Sequence, residues 1–137
     1  MQWKCVPFEE LTPIELYQLL KLRVDVFVVE QTCPYPELDG KDILSGVYHL
    51  MGYKENELIA CARLLPQGIS FSEVSIGRVA TKENHRGSGL GHQLIKTALE
   101  NLTEVSTVRG LGLMLGFHTG EYTSAVRQHL FQHGKIL

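Results

Sequence analysis

The apolar positions of this chain change their period several times, and each change marks an element. Residues 2–8 read as a short first strand. Thr12-Pro13-Ile14-Glu15 then forms a helix start: Thr12 can cap, Pro13 suits the first helical position and Glu15 completes a capping box. Leu16, Leu19, Leu20, Arg23 and Phe27 share one face at helical spacing, which predicts a helix to about Val28. Residues 30–42 break the period with Pro34, Pro36 and Gly40 and read as an ordered loop. Strand patterns follow at 47–53 and 58–65, joined by the polar turn Lys54-Glu55-Asn56-Glu57. After the turn Pro66-Gln67-Gly68, residues 71–81 form the next strand, with Gly77 inside it as the mark of a bulge or a close backbone approach. Leu90, Leu94, Ala98 and Leu102, with Ile95 beside them, predict a helix that lays one face on a sheet. Beyond Val105 the pattern weakens. Residues 109–117 read as a glycine-containing strand, and 123–133 as a short helix stopped by Gly134.

Charged residues set into these apolar patterns are the first candidate chemistry. Arg23 lies in the stripe of the first helix, either snorkelling to the surface or aimed into a pocket. Arg63 and Arg78 lie in strands built for burial and need partners, for which Glu37 and Asp39 of the loop are candidates. Such pairs could hold the loop or bind a substrate carboxylate. The loop acids Glu30, Glu37, Asp39 and Asp42 lack the ligand ladder of a calcium loop, so wall or lid of a substrate site is the better reading. His49 reads as a satisfied half-buried strand histidine. His129 and His133 stand four apart as zinc pairs do, but no third ligand completes them, and no metal is expected.

The chain has 137 residues, enough for one domain with a real core. A net charge of -2 without a basic cluster excludes a nucleic-acid footprint, and no apolar run approaches a membrane span. The N-terminus does not read as a signal peptide, and Cys5, Cys33 and Cys61 are odd in number and widely spaced, which fits a reducing cytoplasm.

The remaining signal is Arg86-Gly87-Ser88-Gly89-Leu90-Gly91, between a strand and a helix. Glycines there let a ligand approach the backbone, and the helix start supplies unpaired N–H groups and a positive dipole end. Together they make an anion seat, most often for phosphate; a turn that merely reverses the chain is the alternative. The Walker lysine is missing, which sets a nucleotide-binding loop aside.

The element order and this hexapeptide, placed directly after a strand and before a helix, resemble the GNAT superfamily of acyl-CoA N-acyltransferases, whose signature is Gln/Arg-x-x-Gly-x-Gly/Ala. More narrowly, the run from Arg23 to Gln31, then Cys33-Pro34-Tyr35, Glu37 to Gly40, Ala62 to Pro66 and Ile76 to Val79 resemble the ElaA-type branch. The lactone-synthase branch shares the Arg-x-x-Val-Phe opening, but the contiguous glycine loop favours an ordinary GNAT protein. The resemblance implies an α/β (α+β) fold, a mixed and mostly antiparallel sheet flanked by helices, over residues 1–137. Against that pattern the segment after about 105 reads as divergent or truncated, with C-terminal strands missing or altered, through a genuine shortening or a shifted reading frame. An exposed sheet edge left there could be covered by a partner, or by a second copy as a homodimer.

The resemblance also implies roles. Gly87, Ser88, Gly89, Leu90 and Gly91 would hold the pyrophosphate of acetyl-CoA, with Arg86 at the mouth of the loop. Val79, Ala80 and Thr81 would bond the pantetheine arm, and one of their N–H groups would polarise the thioester carbonyl. Glu73, thirteen positions before Arg86, matches the general base of the histone-acetyltransferase branch, with an exposed strand-end carboxylate as the alternative. The amine acceptor, a small molecule or a protein, would meet Arg23, Glu30, Tyr35, Asp39, Arg63 and Arg78. The family's general-acid tyrosine finds no counterpart in 128–134, and Tyr122 comes too early. Two functions follow as expectations: an acetyl-CoA-dependent N-acetyltransferase, or a CoA-binding module of the same fold with impaired catalysis.

Overall fold

The computed structural model describes residues 1–32, 34, 36–105 and 113–115. Five strands form one sheet in chain order: β1 (Gln2–Pro7), β2 (Tyr48–Lys54), β3 (Glu57–Leu65), β4 (Val74–Thr81) and β5 (Leu113–Leu115). The first four pair antiparallel, and β5 runs parallel to β4. Helix α1 (Pro13–Arg23) covers one face and α2 (Leu90–Val105) the other.

Local sequence explains most boundaries. Thr12 Oγ1 accepts from the Glu15 amide at 3.1 Å, and Glu15 Oε1 accepts from the Thr12 amide at 2.9 Å, so both halves of the capping box form. Glu55 and Asn56 turn the β2–β3 hairpin with φ of 52° and 66°, the left-handed pair that a two-residue hairpin turn requires. β3 is central and buried on both faces. Side chains alternate between the two faces, so Leu50 of β2 and Ile76 of β4 pack with Leu94 and Ile95 of α2, while Met51 of β2 and Cys61 of β3 pack with Leu19, Val26 and Phe27.

Three expectations change. The first helix does not run on as α to Val28: from Val24 to Glu30 it widens into a π-helix, closed by the Gln31 amide donating to the Val26 carbonyl five residues back. The strand expected over 71–81 begins only at Val74, because residues 71–73 bend before joining the ladder. The bulge lies beside Gly77 rather than at it. Cys61 pairs with Ala80 and Arg63 with Gly77, leaving Arg78 and Val79 opposite Ala62 alone. Of the strand expected at 109–117, Leu113–Leu115 is described; the helix expected at 123–133, the His129–His133 pair and the question of missing C-terminal strands lie outside the described residues. Among the described residues no helix is long and apolar enough to cross a membrane.

Candidate active site

The bulge in β4 is the first fixed point. Arg78 has φ of 51°, a left-handed conformation that a side chain with a Cβ resists by about 1–2 kcal/mol. Four contacts hold it. Its Nε donates to Glu37 Oε2 at 2.7 Å, its Nη2 to the Glu37 carbonyl at 3.1 Å and to Asp39 Oδ2 at 3.3 Å, and its own carbonyl accepts from the Cys61 thiol at 3.7 Å. Burial pushes the Cys61 thiol up to about 12, so it remains a donor at neutral pH.

Arg78 belongs to a cluster of three guanidinium groups and three carboxylates. Arg23, 1% exposed, donates from Nε to Glu37 Oε2 at 2.8 Å and from Nη1 to Asp42 Oδ1 at 2.7 Å. Arg63 grips Asp39 through Nη1 and Nη2, both at 2.9 Å, and reaches Asp42 at 3.0 Å. Burial opposes the charges, but the pairs outweigh it. Asp39 is held well below the usual carboxylate range by Arg63 and Arg78, Asp42 is lowered by Arg23 and Arg63, and Arg23 is raised by Asp42 and Glu37. His49 donates from Nε2 to the Asp42 carbonyl at 3.0 Å. Burial, with Arg23 and Arg63 near, holds its pKa below 6.5 despite that bond. Arg23 therefore does not snorkel; it ties the acidic loop to the first helix.

The second fixed point is the turn after β4. Gly87 and Gly89 have φ of 88° and 84°, and a Cβ on either would meet no atom within 4 Å. Glycine is needed there for backbone conformation, and the space over both residues is open to a ligand. α2 begins at Leu90, so Leu90 and Gly91 contribute first-turn amides that have no intrahelical acceptor. The geometry fits the anion seat expected of this loop. The Arg86 side chain folds back from it: Nη2 donates to the Thr81 carbonyl at 2.7 Å, and Nη1 and Nη2 fork onto Glu30.

The residues singled out in the sequence thus fall into groups. Arg23, Asp39, Arg63 and Arg78 are brought together; Glu30 stands apart from them, on Arg86. Val79 is the second residue of the bulge, Ala80 and Thr81 follow it toward the glycine turn, and Glu73 sits half-buried one residue before β4. Tyr35 lies outside the described residues. Sequence reasoning missed Asp42 as a hub and Cys61 as a backbone support, since neither carries a motif. It also missed a cleft of about 500 Å³ between α1 and the β2–β3 turn, whose lining includes Lys21, Asp25, Glu57 and Lys82. Among the described residues no group of His, Cys, Asp and Glu is placed to hold a metal ion.

Comparison with known proteins agrees with this architecture. The acetyltransferase (GNAT) family matches residues 15–134. The chain is 43% identical over 103 residues to the protein ElaA of Escherichia coli, a match spanning 75% of this chain and 67% of that protein. The crystal structure of E. coli ElaA superposes with a TM-score of 0.84 at 36% identity, covering 93% of this chain and 84% of that one. An acyl-CoA N-acyltransferase from Pseudomonas aeruginosa superposes with a TM-score of 0.72 at 45% identity, covering 76% and 71%.

Proposed function

Because the chain belongs to the acetyltransferase (GNAT) family, we propose that it transfers an acetyl group from acetyl-CoA to a primary amine of a small molecule or a protein. One observation carries the cofactor assignment: two left-handed glycines with open space above them, between a bulged strand and a helix start. In this reading the amides of Gly87, Ser88, Gly89, Leu90 and Gly91 take the pyrophosphate, where helix dipole and N–H groups act together. The backbone of Val79–Thr81 lines the pantetheine arm, and the Val79 amide stabilises the oxyanion formed when the amine attacks the thioester carbonyl. The C–S bond then breaks, the thiolate of CoA leaves, and the amine nitrogen gives up its proton to a base, for which Glu73 is the candidate. The odd, widely spaced cysteines, of which Cys61 is a buried free thiol, support a reducing cytoplasm as the place of action.

The test is a thermal melt with acetyl-CoA followed by a transfer assay. A ligand at one hundred times its Kd stabilises the native state by about 2.7 kcal/mol. Gly89→Glu should abolish that shift, and an unchanged shift would remove the pyrophosphate assignment. Glu73→Gln should slow transfer by about one hundredfold or more with acetyl-CoA affinity unchanged; equal rates would exclude Glu73 as the base. Binding without transfer over a broad amine panel would leave a CoA-binding module instead.

A further inference from the structure

The β4 bulge places two residues, Arg78 and Val79, opposite one, and the first of them is left-handed. In bulges of this form the first position ordinarily belongs to glycine, which adopts a positive φ without strain. Here it is an arginine, so something outside the strand must hold the conformation. The main holder is Glu37, beside weaker contacts from Asp39 at 3.3 Å and the Cys61 thiol at 3.7 Å. Its Oε2 accepts from Arg78 Nε at 2.7 Å and from Arg23 Nε at 2.8 Å, and its main-chain carbonyl accepts from Arg78 Nη2 at 3.1 Å. The side chain of Glu37 is 3% exposed, so water does not compete for these bonds.

We propose that Glu37 is a positioning residue for the transfer reaction: it holds Arg78 left-handed and so sets the direction of the neighbouring Val79 amide. The inference rests on the reading that this amide serves the thioester carbonyl. Oxyanion donors act only when they are aimed in advance, so a bulge free to relax loses rate before it loses cofactor. The arginine makes the acceptor loop and the catalytic strand one mechanical unit: displacement of Glu37 withdraws the support of the bulge. Glycine at 78 would have no such dependence.

The experiment compares four variants of the full chain: Glu37→Gln, Glu37→Gln with Arg78→Gly, Arg78→Gly and Arg78→Lys. Two readouts are taken, steady-state acetyl transfer and amide hydrogen exchange by NMR at Ala80, which pairs with Cys61 at the edge of the bulge. E37Q should lower kcat and raise exchange at Ala80 each by about tenfold, with KM for acetyl-CoA within about twofold. Adding R78G should restore most of both losses. No recovery in the double variant overturns the proposal. Should E37Q fail to fold, the Arg78 pair decides it: Gly must outperform Lys in kcat and in protection of Ala80. The reverse order means that the charge at 78 matters rather than its backbone, and the proposal falls. If the unaltered chain transfers no acetyl group, the proposed function fails, while exchange at Ala80 still decides this inference.

Discussion

Arg86 and Glu30 meet across 56 residues of chain through two parallel hydrogen bonds, Nη1 to Oε1 at 2.7 Å and Nη2 to Oε2 at 2.9 Å. The same guanidinium donates from Nη2 to the Thr81 carbonyl at 2.7 Å. One side chain thus ties the end of the first helix, the end of β4 and the glycine turn. A fork of this kind fixes orientation as well as distance.

Glu30→Ala should therefore loosen the turn more than it destabilises the protein. The pair is partly exposed, so its loss should cost about 1 kcal/mol or less. The Kd for acetyl-CoA, measured by titration calorimetry, should rise by about three- to tenfold, since an unheld loop must be ordered on binding. An unchanged Kd beside a lowered Tm would reduce the fork to a purely structural contact.

Stability should fall as the solution is made acid, in two stages. His49 is held below 6.5, so the unfolded chain takes up that proton first and stability declines as pH drops below about 6.5. Asp39 and Asp42 are held below 3.8, so their contribution is present above that value and is lost as pH falls through it toward their native values. Urea midpoints across this range give the profile. His49→Gln should flatten the upper limb, and Asp39→Asn the lower one while lowering stability at pH 7.

Cys61, fully buried with a thiol pushed up to about 12, should resist alkylation in the native protein at pH 8 and react only in denaturant. Peptide mass mapping after iodoacetamide, with and without urea, reads this directly. Native-state labelling at Cys61 would mean that β3 and β4 separate far more readily than their packing implies.

Gly52 pairs with Trp3 across β1 and β2, and a Cβ at 52 would stand 2.5 Å from the indole Cζ3. Gly52→Ala should destabilise by about 1–3 kcal/mol, and adding Trp3→Leu should recover part of that loss. Trp3 is the only tryptophan of the chain, so its emission should shift in the single variant.

The parts of the fold legible in the sequence are those with local causes. Thr12 and Glu15 announce a cap because their partners are three residues away, and Glu55-Asn56 suits a left-handed turn by residue type. Gly87 and Gly89 were found because positive φ usually requires glycine. Gly77 marks a bulge that lies beside it, but the left-handed residue there is Arg78, held by a carboxylate 41 positions away that no local signal reveals. Arg23 was ambiguous for the same reason. Its helical stripe placed it on the core face, but only the returning loop brings Asp42 and Glu37 to neutralise it.

The π-helical stretch Val24–Glu30 has a consequence for insertions and deletions. Regular α-helix advances about 100° per residue, so removing one residue between 24 and 29 would let the helix run on with ordinary hydrogen bonds. Seven π-helical residues, at about 4.4 per turn, sweep nearly the same angle as six α-helical ones, so Glu30 would keep its direction toward Arg86. One deletion is therefore the change this segment absorbs most readily, with the tie to the glycine turn kept. A second deletion would fall on a helix already regular and would swing every later position by about 100°, breaking that tie.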